Sequence, residues 1–217
     1  MAGSINGNAY KLCFWILAHA LHNESILASI RNEIVPVVNE GLIGLEYRLE
    51  QCLFLDSVYN EALRITASSS SIRTVLSTTD IGGKQLRSGT KVLIPYRQLH
   101  FNEDVWGTDA KTFDPERFLK NKNLARNSSF RPFGGGTTYC PGRFLAKREV
   151  MTFVALLIYR FDIALAVNPT LLANEDKTAK PAFPQLEEQK PCLGIMGPVK
   201  DHDVCLRVKP AKRRTEE

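Results

Sequence analysis

Residues 130–143, FRPFGGGTTYCPGR, place three consecutive glycines and a single cysteine directly ahead of a long helical pattern. Glycine-rich loops that open a helix often cradle phosphate, but that chemistry fails here on single residues. Gly134 and Gly136 are followed by Tyr139 where a dinucleotide loop needs its third glycine, and no lysine is placed to reach a phosphate. A phosphatase-type thiolate needs an arginine six residues after the cysteine, and Ala146 stands there. A papain-like thiol needs a histidine base within reach, which spacing alone does not place.

Ligation of a metal by one thiolate is the remaining chemistry. Cys140 precedes Pro141, a favoured first helical residue, which puts the sulfur at the positive end of a helix where the anionic form is stabilised. The glycines let the backbone run close beneath a flat ligand and leave amide N–H groups to point at the sulfur, donors that tune a thiolate–iron bond. The whole pattern, Phe133-x-x-Gly136-x-x-x-Cys140-x-Gly142 with Ala146 four residues on, resembles the haem-binding loop of the cytochrome P-450 family of haem-thiolate monooxygenases. The resemblance implies Cys140 as the iron ligand of haem b, with Phe133, Gly136, Gly142 and Ala146 as the loop scaffold.

Further motifs follow in the family's order. Glu61-x-x-Arg64 sets opposite charges three apart on a helix face, and "FDPERF", residues 113–118, is similar to the family's meander motif. Together they imply a buried Glu61–Arg64–Arg117 network that locks the meander beneath the haem. Arg73 matches the arginine that pairs with a haem propionate. His100, ahead of the "VWG" turn, matches a recurrent histidine to which no role is assigned. Registered on Trp15, the N-terminal stretch falls on the family's central helix, so that Asn8 lines the distal pocket.

Two positions depart from the pattern. The family usually carries an acid followed by threonine where this chain has Gly7 and Asn8, and an asparagine cannot relay a proton as that pair does. In this the chain is similar to the branch containing prostacyclin synthase and sterol hydroxylases, some of which isomerise or dehydrate peroxides without a reductase. Thr138 stands where the family commonly puts a propionate-binding arginine or histidine, which shifts more of that role to Arg73.

The implied reaction inserts one oxygen atom from O2 into an apolar small-molecule substrate, with electrons from NADPH through a partner reductase. A lipid-peroxide isomerase or dehydratase, and a non-catalytic truncated product, are the alternatives. The resemblance covers the C-terminal half of a family about twice this length. It implies a parent in the endoplasmic reticulum membrane, and a chain here, without the anchor, that is a truncated gene model or a partial product.

The elements that must position these residues are mainly α with small antiparallel β-sheets, the C-terminal half of the cytochrome P-450 fold in one partial domain over residues 1–217, with 209–217 as a basic tail. Residues 5–21 read as an apolar helix. Within it KLCFWILAHA mimics a signal peptide, but its apolar run of six residues is too short for one or for a membrane span, so a buried helix is expected. Asn23 can cap a second helix with a stripe at Ile26, Leu27, Ile30 and Ile34, ended or kinked by Pro36. A third helix is expected over 46–65. A hairpin sheet follows around Gly82-Gly83 and Ser88-Gly89, then an irregular meander over 97–132. Ala146, Val150, Phe153, Val154, Leu157, Ile158 and Phe161 repeat at the helical period, and "FDIALAV" and "DVCLRVK" read as closing strands.

Composition excludes other classes. Twenty-eight Lys and Arg against 23 Asp and Glu give a net charge of +5, much of it in the tail, with no basic stripe interleaved with aromatics, so nucleic-acid binding is not expected. Five scattered cysteines, an odd number, argue for reduced thiols. Cys192, His202 and Cys205 lack zinc-knuckle spacing and read as ordinary residues of the C-terminal strands.

Overall fold

The computed structural model describes residues 3–166, 181–200, 202 and 204–211. Helix α1 (Gly3–His22) contains the signal-like stretch, and it is buried: Trp15 is 1% exposed, and Ile16 and Ala20 are wholly enclosed. Among the described residues no helix is long and apolar enough to cross a membrane. Asn23 starts α2 (Glu24–Asn39), its side-chain oxygen accepting from the amides of Ser25 and Ile26 at 3.0 and 3.4 Å. Ile26, Ile30, Ile34 and Val38 form its buried stripe, while Leu27 is only half-buried.

Pro36 does not end α2. A proline this near the C-terminus forfeits a single ladder bond, and burial of Val38 carries the helix on to Asn39. The helix expected over 46–65 is broken instead into α3 (Leu45–Arg48), a 3-10 turn over Leu49–Gln51, and α4 (Leu53–Thr66). No glycine or proline marks that break. Glu33, on α2, accepts from the amides of Phe54 and Leu55 at 2.9 Å each, satisfying donors that a continuous helix would have paired within itself.

Strands β1 (Ser70–Thr74) and β4 (Lys91–Pro95) pair antiparallel, and β2 (Thr79–Ile81) and β3 (Lys84–Leu86) form the hairpin whose Gly82 and Gly83 both take positive φ. The meander carries short helices α5 (Tyr96–Leu99), α6 (Glu103–Trp106) and α7 (Arg117–Lys120). Helix α8 (Arg143–Arg160) packs on α1, α2 and α4 around the core of Trp15, Ile30, Leu55, Val58, Val154 and Ile158. Val150, Val154 and Ile158 face that core as expected, but Phe153 is half exposed. Strands β5 (Phe161–Ala166) and β6 (Cys205–Pro210) close the described chain as an antiparallel pair.

Three smaller expectations change. Residues 209 and 210 belong to β6 and 212–217 lie outside the described residues, so the tail does not begin at 209. All five cysteines are free thiols, but only Cys205 is in a strand; Cys192 donates to the Ile195 carbonyl at 3.4 Å and His202 lies in coil. The helix after the cysteine loop begins at Arg143 with Gly142 as its cap, two residues later than a Pro141 start.

Candidate functional site

Two constellations stand out. The first is built on α4, whose residues three apart bring Glu61 and Arg64 to one face, both fully buried. Arg64 Nε and Nη2 donate to the two Glu61 carboxylate oxygens at 2.8 and 2.7 Å, a bidentate pair. Its remaining N–H groups donate to the carbonyls of His100, Ala110 and Thr112, so the guanidinium grips the meander at three points. Arg117, opening α7, donates from Nε to Glu61 Oε1 at 3.1 Å, and the Asp114 amide donates to the same oxygen at 3.0 Å. Glu61, Arg64 and Arg117 are thus one network.

A fourth member was missed from the sequence. Asp109 Oδ2 accepts from Arg117 Nη2 at 2.8 Å, which makes the network neutral, two carboxylates against two guanidiniums. The Arg117 hydrogen bonds hold the Asp109 carboxyl below its usual range. Nothing in the spacing separates Asp109 from the other acids of the meander; an excess positive charge in the expected triad was the only signal.

The second constellation is the cysteine loop. Phe133 is half-buried against the core, and its carbonyl accepts from the Cys140 amide at 3.1 Å, closing residues 133–140 into one loop. Gly134 and Gly136 take φ of 82° and 69°, which side-chain-bearing residues rarely adopt, and a Cβ on Gly136 would point into open space. A Cβ on Gly142 would stand 3.9 Å from the Cys140 sulfur, in ordinary contact with the thiol. The Cys140 carbonyl accepts from Arg143 Nη1 at 3.0 Å, and the Ala146 amide bonds Gly142 as α8 begins. Cys140 is half-buried, whereas burial pushes the Cys13 and Cys52 thiols up to about 12 and leaves them inert. Phe144 and Leu145, in the first turn after the sulfur, are 63% and 60% exposed. Thr138 closes a 3-10 turn over Gly136–Thr138, and its side chain lies outside the described residues.

Asn8 and Arg73 each make hydrogen bonds to backbone. The Asn8 side-chain oxygen accepts from the Ile195 amide at 3.0 Å, and a Cβ on Gly194 would collide with the same carboxamide. Arg73 is half-buried on β1, with Nη1 donating to the Ile72 carbonyl at 3.0 Å.

The family model of the cytochrome P-450 matches residues 12–184, which spans both constellations and most of the chain. The chain belongs to the cytochrome P-450 family. Among its relatives are a cytochrome P-450 monooxygenase of Gibberella zeae, 29% identical over 72% of this chain and 33% of the relative, and one of Penicillium decumbens, 29% identical over 94% and 40%. The 7-alpha-hydroxycholest-4-en-3-one 12-alpha-hydroxylase of Oryctolagus cuniculus is 28% identical over 97% of this chain and 44% of its own length. The chain therefore spans between a third and a little under half of these P-450 relatives.

The residues present fit a haem. Among the described residues no three His, Cys, Asp or Glu side chains converge as a bare metal ion would require, while one accessible thiol sits in a glycine-lined turn beside exposed apolar side chains. A single soft donor in an open loop suits an iron whose other ligands come from a macrocycle.

Proposed function

We propose that the chain supplies the thiolate side of a haem-thiolate monooxygenase that inserts one oxygen atom into an apolar small molecule. The observation that supports it most is the Cys140 loop, a half-buried thiol in a glycine-rich turn that is open at Gly136. When bound, the haem would supply the oxygen chemistry, and the Cys140 thiolate would hold it. The chain's own residues hold and orient: Cys140 is the donor, Phe133, Gly136, Gly142 and Ala146 shape its loop, and Arg73 is the propionate partner. Glu61, Arg64 and Arg117, with Asp109, fasten the meander. Electrons come from NADPH through a reductase. The parent is read as a membrane protein of the endoplasmic reticulum, to be checked by fractionating the full-length protein.

The test is a carbon monoxide difference spectrum of the reduced, haem-supplied chain. The red-shifted Soret band of a thiolate-ligated ferrous carbonyl is expected, and it should vanish in Cys140→Ala. A band that survives that substitution would sink the ligand assignment, and no band in the native chain would favour the non-catalytic reading. Gly7 and Asn8 motivate a second reading, isomerisation or dehydration of a lipid peroxide. Turnover of a hydroperoxide without NADPH would support it, and strict dependence on NADPH and O2 would rule it out.

A further inference from the structure

His100 follows α5 and is wholly buried, and its ring makes two hydrogen bonds of opposite sense. Nδ1 lies 3.1 Å from the Arg64 carbonyl oxygen, and Nε2 lies 2.9 Å from the Arg131 amide nitrogen. A carbonyl can only accept and an amide N–H can only donate. The partners therefore dictate a neutral ring with its proton on Nδ1. Arg64 answers from its other end, where Nη1 donates to the His100 carbonyl at 2.8 Å, so the two residues exchange hydrogen bonds.

What His100 holds on its far side is the approach to the cysteine. The Arg131 amide is bonded to the ring, the Pro132 carbonyl accepts from Ser69 Oγ at 2.9 Å, and the Phe133 carbonyl accepts from the Cys140 amide. Three successive residues are pinned in this way immediately before Gly134 and Gly136, whose backbone freedom gives the loop little say in its own course.

We propose that His100 is a positioning residue for the candidate haem loop: as the Nδ1–H tautomer it couples Arg64 of the buried network to the Arg131 amide and thereby sets where the Cys140 sulfur stands. Its meaning for catalysis rests on Cys140 being the haem ligand; the coupling itself does not. Burial, with the Arg64 and Arg97 guanidiniums nearby, pushes the His100 pKa down to about 4, which keeps the ring in the neutral form the two bonds require.

The experiment separates the two halves of the ring. In His100→Asn the carboxamide nitrogen can replace Nδ1 but nothing reaches Arg131; in His100→Gln the carboxamide oxygen can replace Nε2 as acceptor. Amide hydrogen exchange at Arg131 in the 217-residue chain should accelerate roughly tenfold in the asparagine variant and stay near wild type in the glutamine variant. In the haem-supplied chain the fraction of ferrous carbonyl showing the thiolate band should fall in the asparagine variant and recover with glutamine. Unchanged exchange in His100→Asn overturns the coupling, and accelerated exchange with an unchanged thiolate fraction overturns its reach to the sulfur. A thiolate band that persists in Cys140→Ala, or a chain that takes up no haem, defeats the ligand reading instead, while Arg131 exchange still decides the coupling. Should both His100 variants misfold, nitrogen NMR of the wild-type ring decides: a neutral Nδ1–H imidazole at neutral pH is expected, and an Nε2–H tautomer or a ring titrating like a solvated imidazole would overturn the proposal.

Discussion

The ion network and the cysteine loop lie on either side of His100 and are built on opposite principles. Around Glu61 nearly every polar atom is spoken for: both carboxylate oxygens are occupied, Arg64 uses donors on all three of its nitrogens, and Arg117 reaches two acids and three backbone carbonyls. Around Cys140 the chain is half-buried and glycine-rich, shaped by backbone bonds at its ends. A buried charge cluster tolerates no missing partner, whereas a ligand loop must leave room. Order is supplied by the first and space is kept by the second.

The most direct way to break the contrast is Glu61→Ala. It leaves two guanidiniums without their shared carboxylate, and the loss should be about 3–5 kcal/mol in denaturant unfolding. A loss under about 1 kcal/mol would mean the network is not the anchor that its geometry describes.

Acid should attack the link between the regions. The His100 pKa falls from 6.5 to about 4 on folding, so between these values the unfolded chain binds more protons and stability declines as pH drops. The contribution is fully present above pH 6.5 and of order 3 kcal/mol is lost by the time pH reaches the folded value. His19, stacked on Phe113 at 3.6 Å and lowered by burial to about 3, adds a loss of the same sign. Unfolding measured across this range in wild type and His100→Gln should show a shallower slope in the variant.

A smaller effect is expected outside both regions. Glu33→Gln weakens the remote cap on α4, and about 1–2 kcal/mol should be lost. Cys140→Ala should come last, within about 0.5 kcal/mol of wild type in the haem-free chain, while removing the thiolate band altogether. A large stability loss there would make the loop a structural core element and erase the contrast.

Legibility in the sequence followed the range of the interactions. The Asn23 cap, the Gly82-Gly83 hairpin and most of the α8 stripe are local, and each was readable from neighbouring residues. Glu61, Arg64 and Arg117 were readable only through the family's motif order, because residue 61 says nothing of residue 117. The α3–α4 break was not readable, since its cause is a carboxylate about twenty residues away. Asp109 was hidden among other acids. His100 could be flagged but not assigned, because its partners lie 36 and 31 residues off in opposite directions.

The sequence by itself determined the family, through its motif order, and the candidate ligand and most of the helical and hairpin elements, because these rest on residue type and short spacing. Tertiary structure alone decided which atoms satisfy one another: Glu33 with the start of α4, Asp109 with Arg117, Asn8 with Ile195, and His100 between Arg64 and Arg131. Buried polar groups must find partners wherever the fold brings them, and that requirement is met through space, not along the chain.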